Sequence, residues 1–155
     1  MRQLDRLDRQ ILNILQIEGR IAMTELADRG HLSPTPCSDR VKRMEREGVI
    51  QGYHARVNPH AVGRSLLVFL EIKLSAKSGD VFDRVKEELR VVPEVLECHL
   101  VSGEFDYLVK ARLPEMNAYR RLLGDILKRL PAAASSHSYV VMEEVKESTF
   151  LDTMD

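Results

Sequence analysis

The stretch SPTPCSDRVKRMEREG, residues 33–48, predicts one helix with both of its ends specified. Ser33 is a favourable N-cap, because its hydroxyl can accept a backbone N–H that has no partner in the first turn. Pro34 suits the first helical position, where its missing N–H costs nothing, and Gly48 suits the left-handed residue just past a helix. These signals mark a helix that begins after Ser33 and ends before Gly48.

The two sides of this helix differ in chemistry. With successive side chains about 100° apart, one narrow face is apolar and consists of Cys37, Val41 and Met44. The opposite side carries hydroxyl and charged groups and consists of Thr35, Asp39, Lys42, Arg43 and Arg46. Such a face suits the major groove of DNA. A solvated surface helix has a similar charge pattern, so the neighbouring segments have to decide between the two.

Two shorter helical patterns precede this stretch. Residues 5–18 carry an apolar stripe at helical spacing, and Thr24 to Arg29 predict a second, short helix. The tight turn Gly30-His31-Leu32 joins the second helix to the third. A short helix, a turn and an outward-facing cationic helix indicate a helix-turn-helix motif at about residues 23–42, rather than a generic three-helix scaffold.

A run rich in β-branched and aromatic residues, 49–57, follows the third helix and predicts a strand. This strand is interpreted as a wing or as a hinge that leaves the DNA-binding module. Proline and glycine then cluster at residues 58–65. We therefore assign residues 1–57 to a winged helix-turn-helix domain and residues 58–65 to a linker.

The rest of the chain alternates strand and helix patterns in the order β-α-β-β-α-β. The segments, in that order, are residues 65–74, 81–92, 95–101, 107–113, 114–130 and 136–145. This order is typical of the ferredoxin-like sandwich, in which two helices cover one face of a four-stranded antiparallel sheet. The predicted fold class is therefore α+β, with the sandwich at residues 66–147 and a loose tail at residues 148–155.

The second face of such a sheet also needs cover. The last predicted strand contains the apolar run Tyr139-Val140-Val141-Met142, which strengthens this expectation. A second copy of the chain is the economical cover, so we expect a dimer at least.

Charge and length exclude several classes of protein. The chain of 155 residues has a net charge of −1; residues 1–60 hold 10 Lys/Arg and 8 Asp/Glu, against 13 and 16 in the remainder. DNA binding must therefore rest on local charge. No segment has the apolar length of a membrane span, and the N-terminus Met1-Arg2-Gln3-Leu4-Asp5 lacks the apolar region of a signal peptide. With two cysteines only, the sequence predicts a cytoplasmic protein without membrane association.

Motifs for catalysis or cofactor binding are missing from the sequence. There is no Gly-rich phosphate loop, no GxSxG and no HExxH, and the five histidines lack ligand spacing. Cys98 and His99 are adjacent on a predicted strand and point to opposite faces, so they cannot chelate one metal together. No nucleophile–base pair is visible. We therefore expect no enzyme, no cofactor and no metal site.

The loop SGEFDY, residues 102–107, joins two apolar strands, and Gly103 lets a ligand approach backbone N–H groups. Those N–H groups and the Ser102 hydroxyl suit a carboxylate, while Glu104 or Asp106 suits an ammonium. The loop therefore fits a zwitterion such as an amino acid. An ordinary solvated hairpin turn has the same features, and the spacing alone favours that turn.

Four segments together resemble the Lrp/AsnC family of transcriptional regulators, also called feast/famine regulators, and most closely its leucine-responsive branch. These are LDRLDRQIL at residues 4–12, LSPTPC at 32–37, ECHLVSGEFDYL at 97–108 and YVVMEEVK at 139–146. The resemblance covers nearly the whole chain. It implies an N-terminal helix-turn-helix and a C-terminal sensing domain, in dimers that assemble into octamers and bend or wrap double-stranded DNA.

The resemblance also implies a small-molecule effector, an amino acid bound between C-terminal domains near the glycine-bearing loop. It thus favours the site over the solvated turn for Ser102, Gly103, Glu104 and Asp106. Further positions that match those shaping the ligand response are Leu100, Met116, Tyr139, Val140 and Val141. Their apolar character favours an apolar effector such as leucine.

One position departs from the family pattern. The family commonly has Val-Gly-Leu before the recognition helix, whereas this chain has Gly30-His31-Leu32, so the turn glycine is displaced by one residue. His31 is then expected to adopt the turn conformation, which His tolerates better than β-branched residues do.

The sequence as a whole predicts a sequence-specific DNA-binding transcriptional regulator modulated by an amino acid. Thr35, Ser38 and Asp39 are expected at base edges. Phosphate contacts are expected from Lys42, Arg43 and Arg46, with a further contact from Ser33. Arg40 flanks the core face and suits either DNA or an internal ion pair. The alternatives are a stand-alone amino-acid-binding module and a small enzyme on the ferredoxin-like domain.

Overall fold

The computed structural model describes residues 3–131 and 134–154, which form two compact units. We call them the helical unit, which runs up to Arg56 and also includes the chain from Lys146 onward, and the sheet unit, Val57–Val145. Met1 and Arg2 of the predicted N-terminus and Asp155 of the predicted tail lie outside the described residues. No helix in the described part of the chain is both long enough and apolar enough to cross a membrane.

The helical unit contains the three predicted helices, α1 (Arg6–Ile17), α2 (Met23–Arg29) and α3 (Pro34–Arg46). Asp5 caps α1, because its carboxylate accepts the Asp8 N–H at 2.9 Å while the Asp8 carboxylate accepts the Asp5 N–H at 3.1 Å. The unit's buried core consists of Ile11, Leu12, Leu26, Ala27, Cys37, Val41 and Met44. The predicted apolar face of α3 is therefore confirmed.

The turn between α2 and α3 has the conformation expected from the displaced glycine. Gly30 caps α2 with right-handed dihedrals, φ −84° and ψ 0°, whereas His31 lies in the left-handed region with φ 53°. An L-residue with a side chain meets steric resistance there, so His31 stores a small amount of backbone strain. Gly48, which follows α3, is also left-handed, with φ 71°, as predicted.

Substitutions at His31 are expected to shift stability in opposite directions. His31→Val is expected to lower the free energy of unfolding of the helical unit by about 1 kcal/mol, because β-branched residues resist a positive φ. His31→Gly is expected to raise it by about 0.5 kcal/mol, since the relieved strain exceeds the extra entropy of the unfolded chain. Hydrogen exchange of the α2 and α3 amides measures both changes. Shifts of the same sign in the two variants would show that φ is not what matters at this position.

The strand predicted at residues 49–57 is wrong for this structure. After α3 the described chain forms no regular strand until Leu66, and Gly52 interrupts the extended segment with φ 155°. The residue types favour an extended backbone, but a strand also needs a neighbour to complete its hydrogen-bond ladder. None of the described residues forms a strand ladder with this segment.

The sheet unit contains the predicted βαββαβ series. Its elements are β1 (Leu66–Leu74), α4 (Gly79–Arg90), β2 (Val95–Leu100), β3 (Tyr107–Leu113), α5 (Met116–Arg129) and β4 (Ala134–Val140). The four strands form one antiparallel sheet in the order β2-β3-β1-β4. Leu70 and Ile72 of β1 pack against Val85 and Leu89 of α4 and Ile126 of α5, so both helices cover the same face of the sheet. The α+β ferredoxin-like prediction is confirmed.

The last strand is shorter than the predicted segment 136–145. Val140 pairs with Val68, and the Val141 N–H donates to the Leu67 carbonyl at 3.0 Å. In this register Met142 stands opposite Leu66, the first residue of β1, so the chain beyond Met142 has no strand to pair with. The apolar run at 139–142 therefore lies only partly within β4.

The segment after the sheet differs from the loose tail that we expected. It belongs to the helical unit, where Gln16 and Asn13 of α1 hydrogen-bond to its backbone. The sequence could not predict this contact, because the polar side chains of α1 that bind the segment look the same as those of any solvent-exposed helix face.

Candidate DNA-binding surface and effector site

The outer face of α3 is free of internal partners. Thr35, Asp39, Lys42 and Arg46 are exposed, and no side-chain hydrogen bond or ion pair ties them to any other residue of 3–131 or 134–154. Ser38 is half-buried at the flank of this face. The helix thus presents two cations, a carboxylate and a hydroxyl to an external partner.

Ser33 occupies the predicted N-cap position but makes no capping hydrogen bond. Its backbone is extended, with φ −75° and ψ 153°, while the hydroxyl has no bond to the first turn. A capping oxygen accepts from the N–H of the second or third helical residue. Here the third residue is Pro36, which has no N–H. The Ser33 hydroxyl and the free N–H of Thr35 are therefore open to an anion such as a phosphate.

Arg40 and Arg43 are held inside the helical unit by two carboxylates of α1 and its cap. Arg40 Nη1 lies 2.6 Å from Asp5 Oδ2 and 2.8 Å from Asp8 Oδ1, and Arg43 Nη2 lies 2.6 Å from Asp8 Oδ2. The Asp8 side chain is 0% exposed, while those of Arg40 and Arg43 are 25% and 18% exposed. We call these four residues the α1–α3 ion network.

The electrostatics of this network keep both carboxylates ionised. Hydrogen bonds from Arg40 and from the Asp8 N–H hold the pKa of Asp5 below its usual range. Burial opposes the ionisation of Asp8, but hydrogen bonds from Arg40, the Asp5 N–H and Arg43 outweigh it and lower the Asp8 pKa. The pairing with Asp5 and Asp8 raises the pKa of the Arg40 guanidinium. A buried anion between two cations thus fixes α3 to α1.

The sequence contains a pattern from which the burial of Asp8 could have been predicted, although the charge pattern alone does not show it. Asp8 lies three residues before Ile11 and four before Leu12, both of which are buried. Helix positions with this spacing share a face, so Asp8 falls on the core side of α1. A carboxylate in that position needs a cationic partner, and α3 is the element that supplies one.

The loop predicted as the effector site is held in shape by Asp106. Its Oδ2 accepts the Leu74 N–H at 2.8 Å, and its Oδ1 lies 2.8 Å from Lys77 Nζ. Its own N–H donates to the Ile72 carbonyl at 2.9 Å. Burial would raise its pKa, but the bonds from Lys77 and Leu74 hold that pKa below its usual range. Asp106 therefore anchors one end of the loop to the end of β1.

The other predicted loop residues face solvent. Ser102, Gly103 and Glu104 are exposed, and their side chains form no hydrogen bond or ion pair within the described chain. Gly103 has a φ of 154°, a value that L-residues with side chains rarely adopt. The loop backbone is consequently accessible to a ligand.

The remaining predicted effector residues do not meet in one pocket within the chain. Leu100 lies on β2 and Tyr139 and Val140 lie on β4, which are the opposite edges of the sheet. Three strand spacings separate these edges, a distance of about 14 Å. Met116 begins α5 beyond the end of β3, which is the end away from Asp106. Leu100, Met116, Tyr139 and Val140 are 53%, 45%, 51% and 42% exposed, and Val141 is half-buried.

Two of the cavities in the sheet unit bear on the predicted effector site. One of about 440 Å³ includes Leu100 and Tyr107 in its lining, so it adjoins the predicted loop. The other, of about 550 Å³, lies between α4 and α5 and contains none of the predicted effector residues. Among the described residues, no group of three or more His, Cys, Asp or Glu is arranged to hold a metal ion.

Comparison with known proteins assigns both units. Residues 4–51 match the winged helix-turn-helix DNA-binding domain, and residues 67–151 match the Lrp/AsnC ligand binding domain. The chain belongs to the Lrp/AsnC family. Over 150 residues this Lrp/AsnC regulator is 55% identical to the leucine-responsive regulatory protein of Escherichia coli, covering 97% of this chain and 92% of the relative.

Solved structures show the same architecture. A transcriptional regulator from Neisseria meningitidis in complex with L-Met superposes with a TM-score of 0.89 at 35% identity, over 96% of each chain. A feast or famine regulatory protein from M. tuberculosis complexed with L-methionine superposes with a TM-score of 0.85 at 31% identity, over 96% of this chain and 99% of that one. Both proteins were crystallised with an amino acid.

These matches decide between the classes that the sequence left open. The Lrp/AsnC chain is a transcriptional regulator with a helix-turn-helix DNA-binding domain and a ligand-binding domain. Its relatives are regulators rather than enzymes, so the small-enzyme alternative is wrong. The matches do not support a stand-alone binding module either, because residues 4–51 match a DNA-binding domain and the whole chain matches a regulator.

Proposed function

We propose that this protein binds specific sites on double-stranded DNA in the cytoplasm and that an apolar amino acid modulates this binding. The observation that carries the proposal is the outer face of α3, whose charged side chains have no partner among the described residues. Lys42 and Arg46 extend from this face toward solvent, which suits phosphate contacts. Thr35, Ser38 and Asp39 lie nearer the N-terminus of α3, which suits base edges.

The α1–α3 ion network changes the role that we assign to two arginines. Arg40 and Arg43 each bond to Asp8, so their guanidinium groups are committed inside the helical unit. We therefore propose that these two arginines position α3. The phosphate contacts are then made by Lys42, Arg46 and the Ser33 hydroxyl. Arg43 was expected at a phosphate, and its half-buried position is the reason for this reassignment.

Arg46→Ala tests the DNA interface. The variant is expected to weaken specific and non-specific binding alike and to lower the slope of log K against log salt by about one, since one phosphate contact is lost. Thr35→Ala is the matched control on the same face, and it is expected to keep the salt slope while relaxing base preference. Fluorescence anisotropy with the protein's own promoter DNA at several salt concentrations measures both. An unchanged slope in Arg46→Ala would rule out the phosphate assignment.

The effector proposal rests on the loop 102–107 and on the exposed apolar side chains at the two sheet edges. The Ser102 hydroxyl and the loop N–H groups suit the carboxylate of an amino acid, and Leu100, Met116, Tyr139, Val140 and Val141 suit an apolar side chain. Two solved relatives hold L-methionine, which supports an apolar effector, and leucine has a side chain of similar size. Glu104 is the exposed carboxylate that suits the ammonium, because both Asp106 oxygens already have partners.

The separation of these residues supports a site between chains. Leu100 and Tyr139 stand on opposite edges of the sheet, so one ligand cannot contact both within a single chain. Two copies placed side by side can bring unlike edges together. We therefore propose dimers that assemble further, to an octamer, with the effector bound between sheet units.

A further inference from the structure

A short C-terminal segment, residues 151–154, lies along α1 of the helical unit. Gln16 pairs with the Leu151 backbone in both directions: its Nε2 donates to the Leu151 carbonyl at 2.8 Å, and its Oε1 accepts the Leu151 N–H at 2.8 Å. This bidentate amide contact uses the donor and the acceptor of one backbone residue. It therefore sets the register of the segment on α1.

Thr153 makes the second set of contacts. Its N–H donates to Asn13 Oδ1 at 3.2 Å, and its carbonyl accepts from Arg9 Nη1 at 2.8 Å. Its hydroxyl donates to the Arg9 carbonyl at 2.8 Å. Arg9, Asn13 and Gln16 are spaced by four and three residues, so they form one stripe on α1. The stripe bonds to the backbone of Leu151 and Thr153, and Asn13 Nδ2 also donates to Asp152 Oδ1 at 3.4 Å.

The docked segment ends the second of two chain connections between the helical unit and the sheet unit. The helical unit is joined to the sheet unit twice, because the chain enters the sheet unit after Arg56 and returns to the helical unit at Lys146. The first connection follows α3. The second follows β4, and its docked end lies on α1, which the α1–α3 ion network fixes to α3.

The second connection begins at the proposed effector residues. Tyr139 and Val140 end β4, and Val141 is the next residue, whose N–H still bonds to Leu67. Only Met142 to Val145 separate this point from the helical unit. A ligand that shifts the end of β4 therefore acts on the connecting residues 142–150, which lead to the docked segment.

We propose that residues 151–154 form a C-terminal latch on the Arg9–Asn13–Gln16 stripe of α1, and that this latch transmits effector binding at the end of β4 to the DNA-binding helices. The inference rests on the proposed function, because it needs both DNA binding and an effector. The latch consists of polar contacts at exposed or half-buried positions rather than a buried core. Such contacts open and close more readily than core packing, which a reversible connection requires.

The double variant Asn13→Ala/Gln16→Ala in the full-length chain tests the latch. Its DNA affinity without effector is expected to stay within about twofold of wild type, whereas the ratio of affinities with and without effector is expected to approach one. The probes are L-leucine and L-methionine at saturating concentration, with the protein's own promoter DNA and fluorescence anisotropy as the readout. Gln10→Ala is the matched control, because Gln10 is an amide on the same helix whose Nε2 bonds elsewhere, to the Arg29 carbonyl at 3.0 Å.

Hydrogen exchange supplies a readout that does not depend on either ligand. The Leu151 and Thr153 N–H groups both donate in the docked state, so their exchange is expected to be slowed in wild type and in Gln10→Ala and to approach that of an unstructured chain in the double variant. Thr153→Val keeps the size of the side chain and removes only its hydroxyl. In this variant the Leu151 and Thr153 amides are expected to exchange at rates between those of wild type and those of the double variant.

The outcomes separate the latch from the function on which it rests. An effector ratio in the double variant equal to that of wild type overturns the coupling role, and unprotected Leu151 and Thr153 amides in wild type overturn the docking. A wild-type DNA affinity that ignores both amino acids overturns the proposed function and the coupling with it. Protected amides in that case still establish the docked segment.

Discussion

Asp8→Asn is expected to lower the free energy of unfolding of the helical unit by about 3 kcal/mol, the largest effect of any single substitution considered for this protein. The Asp8 side chain is fully buried and bonds to Arg40 and Arg43. An amide of the same size presents one acceptor where the carboxylate presented two. It therefore leaves at least one half-buried guanidinium without an anion. Hydrogen exchange of the α1 and α3 amides measures the loss.

Asp5→Asn is the matched control for Asp8→Asn. Asparagine caps a helix as well as aspartate does, and the Asp5 side chain is 48% exposed, so its contact with Arg40 is screened by water. We expect a loss below about 1 kcal/mol for this variant. Equal losses at the two positions would show that helix capping, and not the buried charge, stabilises the contact between α1 and α3.

The pH dependence of Asp8→Asn follows from the direction of the pKa shift. The Asp8 pKa is lower in the folded protein than in the unfolded chain, so the carboxylate contributes stability above the unfolded pKa of about 4. That contribution disappears as the pH falls through the folded pKa. The stability difference between wild type and Asp8→Asn is therefore expected to be full near neutral pH and to vanish in acid.

Asp106→Asn is expected to weaken effector binding by about 1.5–3 kcal/mol, which is roughly a tenfold to hundredfold loss of affinity. Both Asp106 oxygens have partners, the Leu74 N–H and Lys77, and an amide oxygen can satisfy only part of this pair. The loop 102–107 is then held to β1 less firmly, although the backbone bond from residue 106 to Ile72 remains. DNA affinity without effector is expected to stay unchanged, because α3 belongs to the other unit. Calorimetry with L-leucine and L-methionine measures the binding.

Lys77→Gln separates the loop anchor from the surface charge. The Lys77 side chain is 50% exposed, and its loss leaves the bond from the Leu74 N–H to Asp106 in place. We expect Lys77→Gln to weaken effector binding by less than about 1 kcal/mol, because water screens an ion pair that is exposed to this extent. If Asp106→Asn bound both amino acids as tightly as wild type, the effector site would have to lie away from this loop.

Local patterns predicted most of the fold, and non-local pairing accounts for what they missed. Helix and strand periods are repeated along the chain itself, so the order β-α-β-β-α-β and the bounds of the helix after Ser33 could be predicted from neighbouring residues. The hydrogen bond expected from the Ser33 hydroxyl is not formed. A strand also depends on what lies beside it. The segment 49–57 has strand-forming residues but no strand partner in the described chain, and β4 ends at Val140, opposite Val68 near the start of β1.

The same limit applies to the candidate sites. Helical periodicity could place Arg43 on the polar side of α3, but it could not show that α1 packs there and offers the carboxylate of Asp8. The glycine and carboxylates of residues 102–107 predicted a binding loop, but they could not show that the Asp106 carboxylate bonds to Leu74 and Lys77. Local sequence patterns do not predict the order of strands in a sheet. The separation of Leu100 and Tyr139 therefore became visible only in the structure.

If the effector contacts both Leu100 and Tyr139, as proposed, their placement on opposite edges of the sheet makes ligand affinity depend on the concentration of the protein. A ligand that needs side chains from both edges binds an assembly and not a free chain, so binding and self-association favour each other by mass action. Dilution then weakens the apparent affinity even though no contact in the site has changed. With the proposed site between chains, the amino-acid concentration at which the regulator responds is therefore expected to shift when the cell changes the abundance of the regulator.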